Sequence, residues 1–102
     1  MMFGRVDAIA VPIGESISEG AIRVTIYLET GRTIRTVREI VVSPLRPIFT
    51  TADLAWHADQ YAQETIGTDL ALEGWEVIGG GEIPEVSEGE VARSAAYGVR
   101  KL

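Results

Sequence analysis

His57 is the sole histidine of the chain and the only side chain in it that joins acid–base chemistry near neutrality to metal affinity. Asp53 and Glu64 share its side of a helix-like stretch, so a cluster of one imidazole and two carboxylates can be drawn there. The pattern is unspecific, because carboxylates are common on solvated helix faces and catalytic metal centres hold their ligands in defined geometry with supporting hydrogen bonds. The expectation is an ordinary exposed helix surface, with no metal and no cofactor. Nucleophilic catalysis fares no better. There is no cysteine, and no Gly-x-Ser-x-Gly turn stands ready for the one histidine to activate. Gly79-Gly80-Gly81 lacks the Gly-Lys-Ser/Thr ending of a phosphate loop and is followed by Glu82 and Glu85, which repel phosphate. No catalytic residue is assigned.

Two further groupings concern binding. Arg32, Arg35 and Arg38 recur every third residue, which on a regular strand spreads them over both faces as charges that guard a sheet edge; a bulge would bring two of them together. Trp56 lies beside Gln60 and Gln63 on the helical wheel, opposite the apolar stripe. An outward indole among uncharged hydrogen-bonding side chains suits a protein interface, with Asp53, Asp59 and Glu64 as its acidic rim. The competing reading packs Trp56 under the connector from Ser43 to Ile48 or under a C-terminal helix.

Composition narrows the function classes. A chain of 102 residues with 46% hydrophobic and 24% charged content reads as a single globular domain over residues 1–102. Without disulfides, so small a core relies on packing, a partner or self-association. The net charge of −6 is lopsided: residues 1–50 hold six arginines and five acids, residues 51–102 three bases and ten acids. That balance argues against nucleic acid, whose phosphates demand clustered positive charge. No apolar run reaches membrane-spanning length, and the start lacks a basic segment followed by an apolar one, so a soluble, unprocessed, cytoplasmic protein is expected.

These groups must be positioned by a small set of elements. Ile22, Val24, Ile26 and Leu28 alternate with polar residues in the period of a strand with one buried face. Thr30-Gly31 turns the chain into a second β-rich run from Arg32 to Val42, giving a hairpin over residues 21–42. A three-residue loop would set Ile34 opposite Leu28, and the broken alternation of Ile34, Val37, Ile40 and Val41 predicts a bulge near Val37. An earlier strand covers Arg5 to Val11, with Pro12 and residues 14–20 as its connection to the hairpin. Pro44 and Pro47 end the sheet.

Thr50 or Thr51 caps a helix from Ala52 to at least Ile66. Its sheet-facing stripe comprises Leu54, Ala55, Ala58, Tyr61, Ala62, Thr65 and Ile66. Continued unbroken, the helix would carry Asp69 into that stripe, so Gly67-Thr68 is expected to kink or interrupt it, with Thr68 or Asp69 capping a last turn that ends at Gly74. Trp75 to Ile78 reads as a short strand and residues 79–84 as a pliable acidic loop. Ser87-Glu88-Gly89-Glu90 reads as a capping box opening a short helix to about Ala96. The fold class is therefore α+β: an antiparallel sheet of three N-terminal strands packed on one main helix, then a short strand and a short C-terminal helix.

The segment Leu72-Glu73-Gly74-Trp75-Glu76-Val77-Ile78 resembles a helix-to-strand junction of small uncharacterised bacterial and phage proteins. With one lysine against eight arginines and no asparagine, a bias of high-GC genomes, the resemblance implies an origin in a high-GC bacterium or its phage. It transfers no active site. The function expected is a non-enzymatic protein-binding or assembly module, a homodimer or an accessory protein, acting through a protein partner or itself; the alternative is a small enzyme whose site is shared across a dimer.

Overall fold

Alternating hydrophobicity in the hairpin becomes alternating burial. In the computed structural model, which describes residues 1–14, 20–44, 46–82 and 91–102, Ile22, Val24 and Ile26 are fully buried and Leu28 nearly so. They lie on strand β2 (Ala21–Thr30), which pairs antiparallel with β1 (Met2–Ile13) on one side and β3 (Thr33–Val42) on the other.

The hairpin turn has two residues rather than three, so Ile34 faces Glu29 and not Leu28. Gly31 takes φ +57° while Arg32 stays at negative φ, the sign pattern of a type II′ turn, whose twist matches that of the flanking strands. Further along, Ile26 pairs with Arg38 but Tyr27 with Thr36, so Val37 is the extra residue of a bulge. The bulge resets the parity of β3. Arg35, opposite Leu28, and Arg38, opposite Ile26, both lie on the helix side of the sheet, where they reach Glu73 at 2.9 Å and Glu64 at 3.1 Å.

Helix α1 (Thr51–Thr65) starts at a full capping box on Thr50. The Thr50 hydroxyl accepts from the Asp53 N–H, and the Asp53 carboxylate accepts from the backbone N–H of Thr50 at 3.0 Å and of Phe49 at 2.8 Å. The helix crosses the sheet mainly over β1. Ala8 and Ala10 on β1 and Ala55, Ala58 and Ala62 on α1 are all essentially without exposure, and side chains this small let helix and strand approach closely. Larger residues flank this alanine seam: Ile22, Ile26 and Leu54, with Ile48 from the connector and Leu70, Trp75 and Val99 from the later elements.

Gly67-Thr68 does not interrupt the helix. The turn Ile66–Leu70 is π-helical and runs on into Ala71. Its wider turn shifts the phase, so that Leu70 is buried and Asp69 exposed, which resolves the conflict in the uniform α-helical wheel. The Thr68 hydroxyl donates back to the Glu64 carbonyl at 2.8 Å and caps nothing. Gly74, at φ +92°, ends the run and hands the chain to β4 (Trp75–Gly80).

The expected C-terminal helix is not formed where the structure describes it. Ala92–Arg93 is a two-residue strand (β5) and Tyr97–Lys101 a longer one (β6); Ser87 to Glu90 lie outside the described residues. Helix-forming alanines lose here to hydrogen bonding with an open strand, since β5 and β6 line up in succession along β1. Between them the Ser94 side chain stands in for a ladder group: its hydroxyl accepts from the Ala8 N–H at 2.8 Å and donates to the Ala95 carbonyl, while the Ser94 N–H donates to the Ala8 carbonyl. Gly79 and Gly80 belong to β4 rather than to a loop.

The sheet order is β3-β2-β1-β6-β4, with β5 beside β1, and every pairing is antiparallel. This is an α+β fold, among the described residues one six-stranded sheet with a single main helix on one of its faces. Among the described residues no helix is long and apolar enough to cross a membrane.

Candidate protein-interaction surface

His57 faces the interior and not an exposed helix surface: its relative exposure is 0%. Nδ1 lies 2.8 Å from the Asp53 carbonyl oxygen, and Nε2 accepts from the Arg46 N–H at 3.4 Å. A carbonyl can only accept and an amide N–H only donate, so the pair of contacts fits the neutral tautomer protonated at Nδ1. The other members of the drawn cluster are engaged elsewhere. Asp53 is the capping-box residue, and the N–H groups of Phe49 and then Thr50 hold its carboxyl below the usual range. Glu64 pairs with Arg38. Among the described residues no group of three or more His, Asp or Glu side chains could hold a metal ion.

Trp56 is half-buried. The Arg46 guanidinium lies 3.8 Å from its ring centroid, and its ring meets that of His57 edge-on at 4.9 Å and 83°. Two adjacent helix residues therefore pin the connector, His57 through the Arg46 backbone and Trp56 through the Arg46 side chain. Gln60 is half-buried and Gln63 exposed. Phe49 sits at the position before the N-cap, from which a hydrophobic staple would reach Leu54; it is instead 75% exposed.

Asp59 is not a rim residue. It is 7% exposed and holds the C-terminal strands to the helix. Oδ1 accepts from the Ala95 N–H at 3.1 Å and the Tyr97 hydroxyl at 2.7 Å, while Oδ2 accepts from Gln63 Nε2 at 2.7 Å. Burial first, and then the Asp59 carboxylate, push the Tyr97 hydroxyl up to about 12.

Among the described residues no element lies over the sheet face opposite the helix. It carries the residues of β1, β2 and β3 that alternate with the buried set. Phe3, Ile34 and Val41 are more than half exposed, and Ile9, Val11 and Tyr27 are half-buried. Between these apolar rows stand four cross-strand ion pairs: Arg5 with Glu29, Asp7 with Arg93, Arg23 with Glu39, and Arg100 with Glu76. Protein-family models, curated proteins and solved structures yield no match to this chain. A shallow groove of about 170 Å³ opens on this face, floored by Ile9, Tyr27 and Ile34 and walled by Arg5, Asp7, Glu29 and Arg93.

Hairpin alternation alone marks Arg23, Thr25 and Tyr27 as outward. The part of the apolar rows that β1 supplies has its signal in the sequence as Ala8-Ile9-Ala10-Val11-Pro12-Ile13, a run that does not alternate, whereas Ile34 and Val41 reach this face only through the register of β3. Runs of that kind belong to strands covered on both faces. Nothing comparable points to Asp59 or Ser94, whose roles depend on a strand break that no local pattern encodes.

Proposed function

We propose that this chain is a non-enzymatic protein-binding or assembly module, cytoplasmic and of bacterial or phage origin, whose working surface is the open face of its sheet. One observation carries the reading: the central strand β1 turns Phe3, Ile9 and Val11, beside the paired Arg5 and Asp7, to the side away from the helix, and among the described residues only the helix side has a layer packed against it. Antiparallel sheets that leave one face to water usually alternate cleanly, and contiguous apolar rows on such a face mark interaction sites. The ring nitrogens of His57 and the carboxylate of Asp53 are committed to backbone hydrogen bonds, which supports a binding role over acid–base chemistry.

Trp56, Gln60 and Gln63 form a smaller second surface. Arg46 covers one face of the indole and Gln63 is tied to Asp59, while Phe49 stands exposed at the head of the same helix. The two surfaces are separated by capture from lysate on immobilised wild type and on two variants, Val41→Glu for the sheet and Phe49→Ser for the helix, each checked for its fold by circular dichroism. The reading expects a protein retained by wild type and by Phe49→Ser but lost with Val41→Glu. Retention that depends on Phe49 alone moves the surface to the helix, and retention of nothing, this chain included, refutes the module.

A further inference from the structure

We infer that the occupant of the open sheet face is a second copy of this chain, docked face to face about a two-fold axis. The inference rests on the binding-module reading and names its partner. Three features of the face select this occupant.

The first is charge. Among the described strand residues four arginines and four carboxylates stand on the face, each joined to its opposite across neighbouring strands, so these strands give the face no net charge on a chain of formal charge −6. A partner of opposite charge would call for an acidic face. A neutral face whose charges are already paired suits an identical face, because a two-fold operation places the same patch on both sides and any unbalanced charge would meet its like.

The second is area. β1, β2 and β3 are 12, 10 and 10 residues long. At ~3.3 Å per residue and ~4.8 Å between strands, they and the shorter β4 to β6 present a footprint of about 700 Å². Specific interfaces cover about 800 Å² per partner, with a spread of about 200 Å², so the face falls in the lower part of the range a stable dimer needs and must be engaged over its whole extent. Sheets packed this way lie about 10 Å apart, which the half-buried Ile9, Val11 and Tyr27 and the exposed Ile34 and Val41 can fill.

The third is the state of the edges, the other route by which sheets associate. The edge strand β3 carries the Val37 bulge together with Arg35 and Arg38, and the other edge, β4, is six residues long and ends in Gly80 at φ +96°. Bulges, charges and short length are the devices that blunt an edge against strand addition. Association is left to the face.

Sedimentation velocity over a concentration series, on the full chain, tests this. Wild type should form a dimer, and because the pair brings together two acidic molecules through neutral faces, added salt should strengthen it. Ile34→Glu, at a side chain 66% exposed and so outside the core, should weaken the dimer by about 100-fold or more, since the two-fold axis buries two unpaired carboxylates in one interface. Leu72→Glu, at 89% exposure on the helix layer, should leave it unchanged. A wild type that stays monomeric at high concentration overturns the second copy, as does a dimer indifferent to Ile34→Glu or one that salt dissociates. A monomer that still captures another protein through Val41 would overturn the second copy while leaving the module standing.

Discussion

Removing the Asp59 carboxylate should cost the domain about 2–4 kcal/mol, and the figure follows from what the carboxylate holds. In Asp59→Ala the Ala95 N–H loses its acceptor inside a residue of 0% exposure, and an unsatisfied buried donor costs about 1–3 kcal/mol. The Tyr97 hydroxyl loses a 2.7 Å bond to a charged acceptor, worth about 1.5–3 kcal/mol in shielded surroundings. Two effects offset part of this: Tyr97 is only partly buried and can turn to water, and the variant no longer desolvates a carboxylate. Gln63 is exposed and contributes little. Urea unfolding followed by tryptophan fluorescence and far-ultraviolet circular dichroism measures the loss, with coincident transitions as the check on two-state behaviour. Asp59→Asn is the informative companion. Its remaining carbonyl oxygen can serve Ala95 and Tyr97, and Gln63 can rotate to meet the new amide, so it should lose only about 1 kcal/mol. An Asp59→Ala variant within about 0.5 kcal/mol of wild type would refute the view that this residue clamps the C-terminal strands to the helix. Equal losses in the two variants would show that the charge matters and the acceptor geometry does not.

Gly80 and Gly79 separate backbone necessity from composition. A Cβ on Gly80 would lie 2.2 Å from the Ala96 carbonyl oxygen at φ +96°, whereas one on Gly79 would meet nothing within 4 Å; Gly80→Ala should therefore lower the melting temperature sharply, with Gly79→Ala close to wild type. Tyr97 should ionise near 12 in an ultraviolet absorbance titration, and lower in Asp59→Asn, where burial alone holds it up. Its folded-state value lies above the ~10 of unfolded tyrosine, so its contribution to stability is whole below pH 10 and disappears as pH climbs to 12. A stability that falls between pH 10 and 12 as steeply in Tyr97→Phe as in wild type would contradict that assignment.

Legibility in the sequence tracked the locality of each cause. The hairpin, its bulge at Val37, the Thr50 cap and the Gly74 stop are set by residues within a turn or two of one another, and each was readable. The phase conflict at Asp69 was visible as well; its remedy, a widened turn in place of a break, depends on Leu70 finding a place in the core. The C-terminal strands were misread because Ala92 to Ala96 has the local chemistry of a helix, and what overrides it is the unpaired edge of a strand some ninety residues earlier. A shorter but still non-local separation, 36 residues to Ala95 and 38 to Tyr97, hid the role of Asp59. Trp56 could be placed outward by the wheel, but its covering by Arg46 comes from a connector whose path no periodicity describes.

The pairing of β1 has a kinetic consequence. Its partner on one side is the next strand in the chain, and its partner on the other is β6, which sets Val6 against Tyr97. The meander β1-β2-β3 can condense from neighbours and offer α1 a surface, whereas docking β6 closes a loop that takes in nearly the whole polypeptide and bears the entropy of that closure. Topology thus puts the docking of β5 and β6 late in folding, and until both cover the flank of the central strand a hydrogen-bonding edge and the apolar run from Ala8 to Ile13 lie open together. Crowded refolding will find its aggregation-competent species there, in a chain whose native edges are blunted and whose transient one is not.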